Sequence, residues 1–196
     1  MIRTGARLLG ILAAVLILYG LQRTMPGYAD ITSPIAVAGR VGEKLSARNF
    51  ALTIDRVSLA REISVEAFGR DRTYTTSGLW ALVEGRAEAG RESVTVMAAQ
   101  WLAPNGARYA MSGRVSNAPG QLEAARLEPG LPPRKVLLLF EFPEEEASST
   151  TLHVAQNPYV PLDSELRIAI GFDQPPFVAK SARISRDGTD WRVTMQ

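Results

Sequence analysis

The feature that most constrains this chain is a series of brief, alternating apolar runs, separated by turn residues, that occupies it from residue 40 onward. Alternation with a period of 2 is the mark of a strand with one covered face. Phe50, Leu52 and Ile54 alternate, and Val57 and Leu59 resume out of phase, which predicts a bulge near Asp55-Arg56. The near-continuous run Leu79-Trp80-Ala81-Leu82-Val83 reads as a central strand. SVTVMAAQWL and RYAMSGRV flank Pro104-Asn105-Gly106, and Asn-Gly between two strand-like runs is a strong hairpin signal.

Further on, RKVLLLFEF (134–142) places Val136, Leu138, Phe140 and Phe142 on one face, predicted to be buried. Thr151-Leu152-His153-Val154 is a shorter strand, and SELRIAIGF alternates Leu166, Ile168, Ile170 and Phe172. The closing stretch KSARISRDGTDWRVTM reads as a hairpin turning at Asp187-Gly188. After residue 40 no helical repeat exceeds about two turns, and QLEAARLE (121–128) predicts one short helix or turn. About eight or nine such strands predict an all-β fold, an antiparallel β-sandwich.

The N-terminus has another texture. Leu8 to Leu21 is an apolar run of fourteen residues with no charge, flanked by Arg3 and Arg7 before it and Arg23 after it. Fourteen residues fit a signal-peptide core better than an unaided transmembrane helix, which needs about 20. Snorkelling arginines and an interfacial Tyr19 extend the usable length to about Gly5–Met25. The expected cleavage motifs, Gly27-Tyr28-Ala29 and Ala36-Val37-Ala38, both lie far behind the run. The reading is a retained N-in anchor over 1–25, with a cleaved signal as the alternative, then a linker over 26–39 and a sandwich over 40–196. Either version sends the domain to the periplasm or the exterior.

Charge supports the same division. Residues 1–23 hold three arginines and no acid, whereas the other 173 residues hold 19 Lys/Arg against 20 Asp/Glu. The basicity belongs to the terminal segment, so the domain lacks the electrostatic footprint of a nucleic-acid reader. Cysteine is absent, which excludes disulfides, thiolate metal sites and thiol nucleophiles.

Four stretches, TTSGLWALVEGRAEA, AAQWLAPNGARY, LEPGLPPRKVLLLFEFP and TLHVA, follow one another in an order that resembles a known group. It is the immunoglobulin-like domain of unknown function found in bacterial secreted and membrane-anchored proteins, akin to small secreted immunoprotective antigens of mycobacteria. The resemblance covers about residues 41–172. It rests on Gly78 before the central strand, Asn105-Gly106 followed by Tyr109, and Pro129-Gly130 before the FEFP strand. It implies an extracytoplasmic immunoglobulin-like sandwich without a known catalytic site, and it does not extend to the hairpin at 176–196.

Chemistry finds little foothold. The single histidine, His153, alternates with Leu152 and Val154 and is predicted to point outward as a solvated side chain. No nucleophile elbow, HExxH, P-loop or Rossmann glycine pattern occurs, so no catalytic residue, metal ligand or cofactor is assigned. Glu144-Glu145-Glu146 has the setting of an exposed loop, and Asp187-Gly188-Thr189-Asp190 reads as a turn. Trp80 and Trp101 are expected in the core, while Trp191 fits a half-exposed position equally well. The proline-flanked aromatics Tyr159 (QNPYVPLD) and Phe177 (DQPPFVAK) are the candidate partner contacts.

Two kinds of function remain in contention. One is a non-enzymatic, membrane-anchored envelope module that binds another envelope protein or serves a structural role. The other is a secreted binder of a small ligand or carbohydrate; an envelope hydrolase has no positive support. A solvent-facing platform of Trp80, Trp101 and Tyr109 would favour the carbohydrate reading, and their burial would favour the module.

Overall fold

The computed structural model describes residues 2–25, 27, 32–67, 70–115, 118–157, 162–172, 175–188 and 190–196. The chain divides into two compact units, Met1–Ser33 and Pro34–Gln196. The first holds the long helix α1 (Ile2–Thr24). Its side chains from residue 10 onward are exposed, including Leu12, Val15, Leu16, Ile17 and Leu18.

Pro34–Gln196 contains fourteen strands among its described residues. They are β1 (Ile35–Arg40), β2 (Lys44–Ser46), β3 (Phe50–Ala67), β4 (Arg70–Ala89), β5 (Val94–Thr95), β6 (Ala98–Leu102) and β7 (Arg108–Ala110), followed by β8 (Arg126–Leu127), β9 (Arg134–Phe142), β10 (Thr150–Ala155), β11 (Ser164–Ile170), β12 (Val178–Ala179), β13 (Ala182–Asp187) and β14 (Asp190–Met195). One sheet runs β1-β11-β10-β6-β7, and a second runs β14-β13-β3-β4-β9 with β2 and β12 also on β3. β5 and β8 form a separate small pair.

The all-β, sandwich-like expectation holds, with one correction: the sheets are mixed. β1 runs parallel to β11, and β12 and β13 run parallel to β3. Alternation reports which face a side chain takes and is silent on strand direction, so these pairs were beyond its reach. A second difference lies at the boundary. Residues 35–39, expected in the linker, belong to β1, where Val37 packs on the core and the backbone pairs with Ser164–Ala169 of β11.

Local signals shape the long strands as predicted. The β3–β4 register shifts between Ile54 and Arg56, which returns Leu59 to the inward face occupied by Phe50, Leu52 and Ile54. A second shift between Ala60 and Glu62 sets residues 76–79 of β4 opposite Arg61 alone. Asn105-Gly106 turns β6 into β7 with Gly106 at φ 87°, and Asp187-Gly188 turns β13 into β14 with Gly188 at φ 63°. Residues 122–124 form a single 3-10 turn.

The core between the two sheets takes Trp101, Leu152, Val154, Leu166 and Ile168 from one side. Leu52, Leu79, Val83, Leu138 and Phe140 come from the other. Val136, Leu138, Phe140 and Phe142 are all buried there, as predicted. Trp101 stacks on Phe142 with centroids 4.9 Å apart and lies 5.7 Å from Phe140.

The other face of β4 and β9 is not solvent. Trp80, Leu82, Leu137 and Leu139 join Ile63, Ile184, Trp191 and Val193 in a second buried cluster. Trp191, which fitted a half-exposed position, is buried in it. The bare Cα of Gly120 makes room for its indole, and Lys135 Nζ stands 4.3 Å from the ring centroid and donates to the Trp191 carbonyl at 2.5 Å. Continuous apolar runs such as LLLF on β9 are the expected mark of strands covered on both faces.

Candidate functional site

The most site-like region is the outer face of the five-stranded sheet. On β10, Leu152 and Val154 turn inward, which sends His153 outward. On β11, Leu166 and Ile168 turn inward and send Glu165 and Arg167 outward. On β6, Ala99 and Trp101 turn inward and leave Ala98 and Gln100 outward. The register then aligns Gln100, His153 and Arg167 in one cross-strand row, with Ala98, Ala155 and Glu165 in the next.

These side chains are coupled. Arg167 Nε donates to Glu165 Oε2 at 2.8 Å, and His153 Nδ1 lies 3.2 Å from the same oxygen. Burial by itself would push the Glu165 carboxyl up; the hydrogen bond from Arg167, then the charge and hydrogen bond of His153, outweigh it and hold the carboxyl below its ordinary range. The side chains of His153 and Glu165 are only 11% and 14% exposed. The predicted outward direction of His153 holds, but the solvated state does not.

Small residues at 98 and 155 leave a hollow beside this row. It is a cavity of about 250 Å³ whose lining includes His153, Gln100, Glu165, Arg108, Asp163 and Ser164. Part of this lining is tied down: Asp163 Oδ1 accepts from the Ser164 amide at 2.8 Å, and Ser164 Oγ accepts from the Arg48 amide at 3.2 Å. Arg108 Nη1 reaches Gln100 Oε1 at 3.4 Å. The sequence holds the alternation that puts each of these residues outward, but not the register that brings three strands' worth of them together.

The predicted contact residues divide. Phe177 is 81% exposed, beside a hollow of about 300 Å³ lined by Val57, Phe172, Pro176 and Met195. Tyr159 lies outside the described residues. Trp80 and Trp101 are buried and Tyr109 is partly buried against Phe142, so none of the three forms a solvent-facing platform. Both tryptophan Nε1 atoms lack a hydrogen-bond partner among the described residues.

The acidic stretches have structural partners. Glu144 accepts from both terminal nitrogens of Arg61 at 2.6 and 2.7 Å, which draws its carboxyl down, and Glu146 bonds Asn105 at the hairpin turn. Asp187 pairs with Arg192 across the last hairpin. Among the described residues no three His, Asp or Glu side chains are grouped to hold a metal ion.

Also among the described residues, no helix is long and apolar enough to cross a membrane. The uncharged run of fourteen residues rises about 21 Å, against about 30 Å of bilayer hydrocarbon. No family model, no curated protein and no solved structure matches the chain.

Proposed function

We propose that the chain is a non-enzymatic module of the cell envelope, held at the membrane by α1 with its β-domain on the periplasmic or outer side. One observation carries this reading: from Gly10 to Leu21 α1 is uncharged and apolar all round. A helix hydrophobic all round needs a protein core or a membrane around it. The 23 residues of α1 rise about 35 Å in all, so arginines that snorkel at either end, with local thinning, reconcile the short apolar run with a span. Arg3 and Arg7 ahead of the run favour an inside N-terminus.

The immunoglobulin-like kinship belongs to the same proposal. It is supported by two packed sheets and by Gly78 and Asn105-Gly106 at structurally demanding positions, while the parallel pairs stand apart from the usual pattern. The partner is another envelope protein, met through Phe177 and Tyr159. Fractionation with intact-mass measurement tests the placement. An intact chain in the membrane fraction is the expected result. A soluble exported species starting near Asp30 would replace the anchor by a signal, and an intact cytosolic chain would end the proposal.

A further inference from the structure

We propose that the cavity between Gln100, His153 and Glu165 binds a neutral cyclic polyol the size of one sugar ring. The walls offer both signs and both hydrogen-bonding roles at close quarters. Arg108 and the Gln100 amide donate, Asp163 and Glu165 accept, and Ser164 does either. Glu165 is already matched by Arg167 at 2.8 Å, and Arg108 and Asp163 bring one charge of each sign to the same lining. An anion entering here meets two carboxylates, and a cation meets a guanidinium. A hydroxyl both donates and accepts, so a polyol satisfies every wall without an unpaired charge.

The histidine is placed for this task. Nδ1–H donates to Glu165 Oε2 across 3.2 Å, which fixes the ring and leaves Nε2 on its far edge as a second polar contact. Gln100 accepts from Arg108 at 3.4 Å, so its NH2 is the end left to donate. Ala98 and Ala155, outward on neighbouring strands, and Pro34 give the lining small apolar surface suited to the C–H face of a ring. A volume of about 250 Å³ lies just below the range of sites for drug-sized molecules. The hydrogen bonds among Asp163, Ser164 and Arg48 hold this part of the lining in place before any ligand arrives.

The test is saturation-transfer NMR on the full chain in a zwitterionic, sugar-free detergent. The probes are glucose, galactose, mannose and N-acetylglucosamine, with inorganic phosphate and putrescine as charged competitors. The expected result is saturable transfer to the ring protons of at least one sugar at millimolar concentration, undisturbed by either competitor. Ala155→Leu, which fills the cavity, abolishes it, and Gln100→Ala weakens it by about tenfold, the loss of one good hydrogen bond. Arg126→Ala, at an exposed side chain of β8, leaves it unchanged. Circular dichroism confirms that each variant is folded; should Ala155→Leu not fold, Gln100→Ala decides. No transfer with any sugar, displacement by phosphate or putrescine, or binding that survives these cavity variants would overturn the proposal.

Discussion

Gly78 on β4 lies so close to the Phe142 carbonyl on β9 that a methyl group at residue 78 would overlap it. Such a Cβ would also stand 3.1 Å from the Pro143 Cα. These neighbours are backbone, so they cannot swing aside as a flexible side chain would. Gly78→Ala is therefore expected to cost about 1–3 kcal/mol in denaturant unfolding. Gly113→Ala, where nothing lies within 4 Å, should stay within about 0.5 kcal/mol. Equal small effects at both positions would mean that the β4–β9 junction yields.

The two cores predict that both faces of β9 carry stability. Phe140, fully buried against Trp101, should cost about 3–5 kcal/mol as alanine. Leu139, on the opposite face among Trp80, Leu82 and Trp191, should cost about 2–5 kcal/mol. A strand with only one covered face would show the first loss and almost none of the second.

Much of this fold was legible because its signals are local. The phase slip between Ile54 and Val57 located the bulge, and Asn105-Gly106 and Asp187-Gly188 located two hairpins. What escaped depends on distant partners. Nothing near Ile35–Arg40 announces β11, more than a hundred residues away, as its parallel neighbour. Trp191 is covered because Gly120 lies against it, a contact that spans 71 positions (191 − 120). The same holds for the cavity. His153 looked like a surface residue until the register set Gln100 on one side and Arg167 on the other.

The Glu165 cluster predicts an acid-side stability loss. Its carboxyl is held below the usual range in the folded chain. A group with a lowered folded pKa stabilises the fold above its unfolded value, about 4.3, and that contribution disappears as pH falls through the folded value. Glu165→Gln should therefore be less stable than the parent near neutral pH, with the gap closing below about pH 4. The groups facing the carboxylate are His153 and Arg167, with Asp163 and Arg108 lining the same cavity. Unfolding midpoints measured from pH 3 to 7 would expose the error if the gap stayed constant.

The domain boundary also separates two outcomes. Residues 34–196, which retain β1, are expected to be soluble, monomeric and β-rich. A piece starting at residue 41 leaves the outer edge of β11 without its parallel partner and uncovers the core beside Val37. It should melt at lower temperature and associate in size-exclusion chromatography. Identical behaviour of the two pieces would show that β1 contributes nothing to the sandwich.

The absence of cysteine makes the placement of the domain directly measurable. A single introduced thiol is then the sole target of a membrane-impermeant maleimide. Leu131→Cys puts that thiol at an exposed side chain of the domain away from Phe177, and Leu152→Cys puts it in the fully buried core. If the arginine bias of the first residues holds the N-terminus inside, Leu131→Cys is labelled in intact spheroplasts without lysis. Leu152→Cys is labelled only after denaturation, which separates exposure on the protein from exposure to the reagent. Labelling of Leu131→Cys that required lysis would place the domain on the inner side. The apolar helix would then need a protein partner as its cover in place of an outward-facing span.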